Sequence, residues 1–573
     1  MDEIDPQFLA QVSGLLEGGQ QALAAGQAAL AQEQFRQLTG LIPRSSETFY
    51  WLYSAAIAMK NDQLAQAALN MAVTLHTIDL MPDIEVDAER FAHDAQYNAA
   101  LFQTCYGAHH VGLASVFGQQ AINLGLKTPE MLTRYGLSLQ HQGRSLEARQ
   151  AFFTAFSTFP VPSIGQFYLF SLFHIPDGIR HYANEARAWA KRYAVNALPP
   201  EPPLPLTGRR LRIGYVAPSF SRSQIYQFIL PVLEAHDPET VEVTLYTANA
   251  EAETPLPCAR MVSIGTLSDD QAAELIRRDR QDILIDTWGH NSGSRLGIFA
   301  RRAAPVQVAW INFVQTTGLP QMDYVLHADS MNAPGTDELF TETVWRLGDI
   351  TIPYRPSLSR LPPVAPPSQK NGYITFASFN NPAKISGPTV EAWARILQAC
   401  PSSVLLLKYN YFTDPTVQRA FRARFAAYGV DQARILFEPH SQADEYIQSF
   451  ARIDLALDPS PCPGGTTTCD ALANGVPVVT LAGDHFYARI GIQVVAVSGL
   501  PDLVAESWDD YVAIAVRLAS DPEALAQVRT RAQSGFDASA LRDEKGFTRK
   551  LEGVFREMAE KAGAAHLAPS PAS

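Results

Sequence analysis

The segment from Ile453 to Leu481, IDLALDPSPCPGGTTTCDALANGVPVVTL, gathers residue types suited to binding an anion. A short apolar run ends at Asp458, a Pro/Gly loop follows, three threonines open a helix that stops at Gly475, and a second apolar run begins. This reads as strand, loop, helix N-terminus and strand. A helix start offers unpaired N–H groups and the positive end of a dipole, which suit a phosphate. Gly464 and Gly465 allow close backbone approach, Thr466 is expected as the N-cap, and Thr467 and Thr468 add hydroxyl donors. Asp470, one helical turn past Thr466, shares its face and is placed to accept ribose hydroxyls. The segment therefore reads as a site for a nucleoside diphosphate, although an ordinary capped βαβ unit has the same outline.

Three further segments lie at expected strand ends. In SFNNPAKIS (Ser378–Ser386) the lysine at 384 can act as a point charge over a diphosphate. In LFEPHSQADEY (Leu436–Tyr446), backbone groups near His440 and Ser441 can meet a base edge. In DTWGHNSGSR (Asp286–Arg295), His290 stands between Gly289 and Gly293 as a candidate base or orienting residue, a structural histidine being the other reading. Residues 370–562 have no Asp-x-Asp pair at a strand end, so no bound divalent metal is expected. Lys384 and the helix start would then carry the charge of a leaving diphosphate.

The elements that must position these residues follow from the wider chain. Its 573 residues suit several globular domains, and 47% hydrophobic content suits sizeable cores. A formal net charge of −13 argues against a general electrostatic role on nucleic acid or anionic membrane. There is no apolar run long enough to span a bilayer, and MDEIDPQFLAQV lacks a signal-peptide pattern. Five scattered cysteines give neither a disulfide framework nor a zinc spacing, so a reducing cytoplasm is expected. Residues 1–195 read as alanine- and leucine-rich amphipathic helices. Tyr135, Gly136, Leu139, Gly143, Ala148, Phe152, Ala155 and Pro160 follow the tetratricopeptide spacing, echoed by Ala114 and Ala121, by Ala31, Phe35 and Pro43, and by Leu52, Ala65, Leu69 and Ala72. Such arrays form surfaces that usually bind peptides or proteins. After the proline-rich stretch Asn196–Thr207, strands alternate with helices over 208–355. They do so again over 370–562, beyond a second proline-rich break at Pro353–Pro367, and a tail at 563–573 is expected to be disordered.

Taken together, these motifs resemble those of protein O-linked N-acetylglucosamine transferases and their bacterial homologues. PCPGGTTTCDALANGVPVVTLAGDHFYARIG looks like that family's nucleotide-binding segment, and FNNPAK resembles its F-N-x-x-x-K motif. DTWGHNSGSRL and APVQVAWINFVQTTGLPQMDY are similar to its D-L-x-G-H-T-x-x-R and A-P-x-Q-x-x-W…M-D-Y segments. The resemblance implies an N-terminal α-helical TPR-like array followed by two Rossmann-like lobes of a GT-B glycosyltransferase, an α + α/β chain. The first lobe would face the acceptor and the second the nucleotide sugar. It implies inverting, metal-independent transfer of a sugar, GlcNAc foremost, from a UDP-sugar to Ser or Thr of a protein acceptor guided by the helical repeats, with no cofactor. Carried over by motif, Lys384 supports departure of the diphosphate, and Asn381, Thr466 and Thr467 contact it. Asp470 binds ribose, His440 and Ser441 hold uracil through their backbone, and Tyr446 stacks near it. His290 is carried as an acceptor-side residue. Three departures stand out: Ser223 and Gln227 occupy the positions of a histidine pair, FVQTTG replaces Y-P-G-T-x-G, and Gly465 replaces a histidine before the threonines. They leave open an Asn glucosyltransferase, a transferase for another nucleotide sugar such as GDP-fucose, or a scaffold without catalysis.

Overall fold

A computed structural model describes residues 6–80, 93–176, 178–194, 197–221, 225–312, 315–331, 333–356 and 359–567. By their contacts they divide into two compact units, Met1–Gln142 with Thr413–Gln418, and Gly143–Phe412 with Arg419–Ser573.

The first unit is helical. It contains the helices Pro6–Ala24, Ala28–Leu41, Ser46–Ala58, Asp62–Leu80, Ala95–Gly107, Val111–Asn123 and Pro129–His141. Polar caps start several of them. The Ser45 hydroxyl accepts from Thr48 N, Asp94 from Tyr97 N, and Thr128 from Met131 N, with Pro129 in the first turn, where no amide partner is needed. The repeat positions behave as expected: Ala31, Ala72, Ala114 and Ala121 are fully buried where small residues let helices meet, and the aromatic Phe35 is fully buried among them.

The expected domain boundary at 195 does not coincide with this division. The helices Ser145–Thr158, Pro162–Ser171 and Gly178–Tyr193 belong to the second unit. The last of them is bound into it by side-chain contacts. The Tyr182 hydroxyl donates to Thr316 O at 2.9 Å, Arg187 donates to the carbonyls of Glu338 and Leu339, and Trp189 meets the His290 ring edge-on.

The rest of the second unit is two parallel sheets. The first comprises β1 (Leu211–Val216), β2 (Val241–Thr247), β3 (Ala259–Ser263), β4 (Ile283–Asp286), β5 (Val306–Ala309), β6 (Tyr324–His327) and β7 (Thr343–Arg346), in the order β3-β2-β1-β4-β5-β6-β7. The second comprises β8 (Thr375–Ser378), β9 (Val404–Lys408), β10 (Ile435–Glu438), β11 (Leu455–Leu457), β12 (Val478–Leu481) and β13 (Val504–Ala505), in the order β10-β9-β8-β11-β12-β13. Each is Rossmann-like, as expected, and each reverses its winding once, between β1 and β4 and between β8 and β11. At such a switch point loops leave in opposite directions and open a crevice. Central strands are buried on both faces, which is why their sequences are continuous apolar runs.

The lobes are joined by more than the connector after β7. Thr351 N and Oγ1 both donate to Gln493 Oε1, and the helix Glu544–Leu567 returns from the second lobe to the first, where Glu552 accepts from His236 Nδ1 at 2.7 Å. That helix runs to Leu567, through the first five residues of the tail expected from 563; residues 568–573 lie outside those described.

Candidate functional site

The switch point of the second sheet brings together two of the loops singled out by sequence. SFNNPAK leaves β8, and DPSPCPGG leaves β11. They are stitched to each other: Ile385 and Pro461 form an isolated antiparallel bridge, the Ser386 and Thr389 hydroxyls donate to Ser460 O, and Lys384 Nζ donates to Pro463 O at 2.9 Å. The lysine ammonium is thereby fixed beside the start of the helix Thr466–Ala473.

Gly465, not Thr466, is the N-cap of that helix, and no side chain caps it. Thr466 is already the first helical residue, so its hydroxyl is not spent on the cap. A Cβ on Gly465 would meet nothing within 4 Å, so the backbone is open at the helix start. Gly464 is the reverse: a Cβ there would lie 2.3 Å from Thr468 Oγ1 and 2.9 Å from Asp458 Oδ1. The first amides and the hydroxyls of Thr466 and Thr467 thus sit at an uncapped, positive helix end with a lysine alongside, an arrangement that stabilises a diphosphate.

Asp458, which sequence did not single out as a site residue, holds this loop from below. Its carboxylate accepts from Gly464 N at 3.2 Å and from Thr468 Oγ1 at 3.0 Å. Burial raises its pKa to about 6, against the pull of those donors and of the Lys384 charge. The resemblance implies a diphosphate contact for Asn381, and the turn it sits in holds both neighbouring asparagines. Asn381 accepts from Ala383 N at 3.0 Å and so caps its own turn, while Asn380 accepts from Thr467 Oγ1 at 3.3 Å. Between this helix and the sheet, Asn380, Asp458, Thr467 and Thr468 line a cavity of about 20 Å³, room for a single water.

Asp470 lies further along the helix. Its Oδ1 accepts from the Tyr354 hydroxyl at 2.6 Å and its Oδ2 from the Tyr446 hydroxyl at 3.0 Å. Burial raises its pKa, and both phenols oppose that rise. Tyr446 therefore reaches this cluster through its hydroxyl, and its ring lies 6.5 Å from that of His440. His440 is exposed on the loop after β10; Ser441 is half-buried there and its Oγ has no hydrogen-bond partner.

The first lobe holds a separate cluster at its own switch point. Asp286 ends β4 and accepts from Trp288 N at 3.1 Å and Gly289 N at 2.9 Å; burial raises its pKa to about 7. Glu342 accepts from Thr316 Oγ1 and from Thr317 N, holding the TTG turn. His290 is 1% exposed, with Nε2 2.8 Å from Thr317 O, and burial lowers its pKa to about 4. It is therefore neutral and donates to a carbonyl. Its geometry is that of a brace for the Thr317 loop, the structural reading that stands beside a base or orienting role. Ile311, just past β5, has φ 85, a strained value for a β-branched residue. Of the two departures noted near β1, Ser223 lies outside the described residues, and Gln227 accepts Arg355 N at its carbonyl. Among the described residues no three His, Cys, Asp or Glu side chains group as metal ligands, and no helix is long and apolar enough to cross a membrane.

Comparison with known proteins fits this geometry. The profile of glycosyl transferase family 41 matches residues 199–344 and 368–551. A Hordeum vulgare protein named "Probable UDP-N-acetylglucosamine--peptide N-acetylglucosaminyltransferase SPINDLY" is 34% identical over 410 residues, covering 69% of this chain and 43% of that protein. The UDP-N-acetylglucosamine--peptide N-acetylglucosaminyltransferase of Caenorhabditis elegans is 25% identical over 474 residues, 61% of this chain and 41% of its own. The chain thus spans less than half the length of these relatives. Among solved structures, a mutant O-GlcNAc transferase of Thermobaculum terrenum superimposes with a TM-score of 0.74 at 26% identity, covering 98% of this chain and all of that one. The helical array followed by two Rossmann-like lobes of GT-B type is common to both.

Proposed function

Because the chain belongs to glycosyl transferase family 41, we propose that it transfers a sugar, GlcNAc foremost, from a UDP-sugar to a Ser or Thr hydroxyl of a protein. The observation that carries this reading is the Lys384 ammonium held 2.9 Å from Pro463 O, beside an open and uncapped helix start at the sheet's switch point. In transfer, the bond from the anomeric carbon to the diphosphate oxygen breaks, its electron pair leaving with the phosphate, while the acceptor oxygen attacks from the opposite face and its proton passes to water. The sugar is inverted, and negative charge grows on the departing phosphate oxygens. Lys384, the first amides of the Thr466 helix and the Thr466 and Thr467 hydroxyls meet that charge, so departure proceeds without a metal in this reading. Asp470 binds the ribose, and backbone near His440 and Ser441 reads the base edge. The protein acceptor is guided by the helical array.

The test offers UDP-GlcNAc, UDP-glucose and GDP-fucose with candidate acceptor proteins, reading nucleotide release and the intact mass of the acceptor. UDP release with a GlcNAc mass increment supports the reading. Lys384→Met should lower that rate by roughly 10²-fold or more with little change in melting temperature, as when an electrostatic stabiliser of a leaving group is lost. Nucleotide binding with no turnover for any donor would overturn it in favour of a scaffold. Near-normal activity of Lys384→Met would remove the role of that lysine.

A further inference from the structure

The carboxylate expected to bind ribose is held from outside its own lobe. Tyr354 lies beyond β7, in the connector, between the two segments that match the family profile. Its side chain is fully buried, yet its hydroxyl reaches Asp470 at 2.6 Å across 116 positions of sequence. The residue is fixed at every polar group. Its N–H donates to Leu541 O at 2.7 Å, and its carbonyl accepts from Arg542 Nη1 at 2.7 Å. Its ring is wedged between the lobes, 5.1 Å from Phe228 of the first and 6.1 Å from Phe536 of the second. The phenol therefore has one place to go, set by both lobes together.

A carboxylate offers about four acceptor directions. Tyr354 and Tyr446 fill one on each oxygen, which fixes the plane of the Asp470 carboxylate and leaves the remaining lone pairs in defined directions. Two adjacent ribose hydroxyls need such a fixed pair of acceptors. We propose that Tyr354 is a positioning residue for the nucleoside: from the lobe connector it aims Asp470 at the ribose, so the grip on the ribose depends on how the lobes are joined. The proposal rests on the nucleotide-binding reading given above and adds a residue that no motif of the sequence marks.

The test is a chemical double-mutant cycle. UDP and 2′,3′-dideoxyuridine diphosphate are titrated calorimetrically into the full chain and into Tyr354→Phe, which keeps the ring and removes only the hydroxyl. Losing one hydrogen bond to a charged group should weaken UDP binding by about tenfold. The dideoxy nucleotide, lacking the hydroxyls that Asp470 would bind, should bind both chains equally. In turnover, the donor KM should rise by the same factor while kcat stays within about twofold. Phe228→Ala, which loosens the ring from the first-lobe side without touching Asp470, should show the same ribose-dependent loss. Unchanged UDP affinity in Tyr354→Phe overturns the proposal, as does an equal loss for both nucleotides, which would mark general damage to the lobe junction. If the unaltered chain binds neither nucleotide, the nucleotide-binding reading itself falls and this proposal with it.

Discussion

Asp458→Asn separates the charge of the buried carboxylate from its hydrogen bonding. Burial moves this group from the ordinary 3.8 to about 6. At about 1.4 kcal/mol per pKa unit, ionising it in the folded chain costs about 3 kcal/mol more than in the unfolded chain. The direction follows from the raised folded-state value. The stabilisation of the neutral carboxyl is complete below the ordinary carboxylate range and is lost as pH rises through about 6. Asparagine stands in for the neutral carboxyl at every pH, since its carbonyl can still accept from Gly464 N and Thr468 Oγ1. Relative to the unaltered chain, the variant should therefore gain about 2 kcal/mol of local stability between about pH 4.5 and about pH 7.5, most of the full term falling inside that window. Hydrogen exchange of the amides of β11, β12 and the Thr466–Ala473 helix, compared between the two chains at both pH values, measures it. A difference that stays constant with pH would refute the reasoning, because the carboxylate would then hold one charge state throughout.

Other expectations follow from the same geometry. Asn380→Ala should weaken UDP binding several-fold, by roughly 1 kcal/mol for a lost hydrogen bond at Thr467, whereas Asn381→Ala should cost about 1 kcal/mol of loop stability as a lost cap and leave UDP affinity nearly unchanged; titration calorimetry separates them, and the reverse pattern would support the diphosphate contact that the resemblance implies for Asn381. His290→Gln, which keeps a donor for Thr317 O, should retain kcat within about threefold, while His290→Ala should lower stability by about 2–3 kcal/mol through an unpaired carbonyl and a void. With a pKa lowered to about 4, His290 should contribute no inflection to the pH–rate profile above about pH 5, and an inflection abolished by His290→Gln would show that it does titrate in turnover. Gly318→Ala should destabilise by more than about 2 kcal/mol in thermal unfolding. Gly318 has φ 75, and its Cβ would lie 2.4 Å from Ala186 O.

What sequence could read was set by burial and by local punctuation. Strands β1, β4, β8 and β9 are buried runs bounded by turns, and their periodicity is unambiguous. By contrast, β3 and β7 lie at the sheet edge half-exposed, so ARMVS and TVWR carry no apolar run to find. Within the site, Lys384 and the threonine helix were legible because strand end, glycines and helix start are contiguous. The choice between Asn380 and Asn381 was not, since their neighbours are alike and the tight turn at Pro382–Lys384 decides which side chain faces Thr467. Asp458 was visible as a strand-end acid, but its function depends on a loop that folds back over it. Tyr354 had no local signal at all: its partner is fixed only once two lobes and a returning helix have assembled. The division after Gln142 was not legible for a related reason, because the Gly178–Tyr193 helix reads as one more repeat helix while its buried face serves the first lobe.

The returning helix also imposes an order in time. Trp310, just past β5, stacks on Phe547 at 6.3 Å between ring centroids, and His236, bonded to the Tyr215 hydroxyl, meets Glu552. Those partners are synthesised about 200 residues after β7, an interval of roughly 10–40 s on the ribosome. During that interval the first lobe can build its sheet but not close its surface, since the aromatic face that takes Phe547 is still bare. The nascent chain thus carries a sticky, half-finished domain through the making of the second one. Holdase binding during translation should concentrate on that face and end when Glu544–Leu567 emerges.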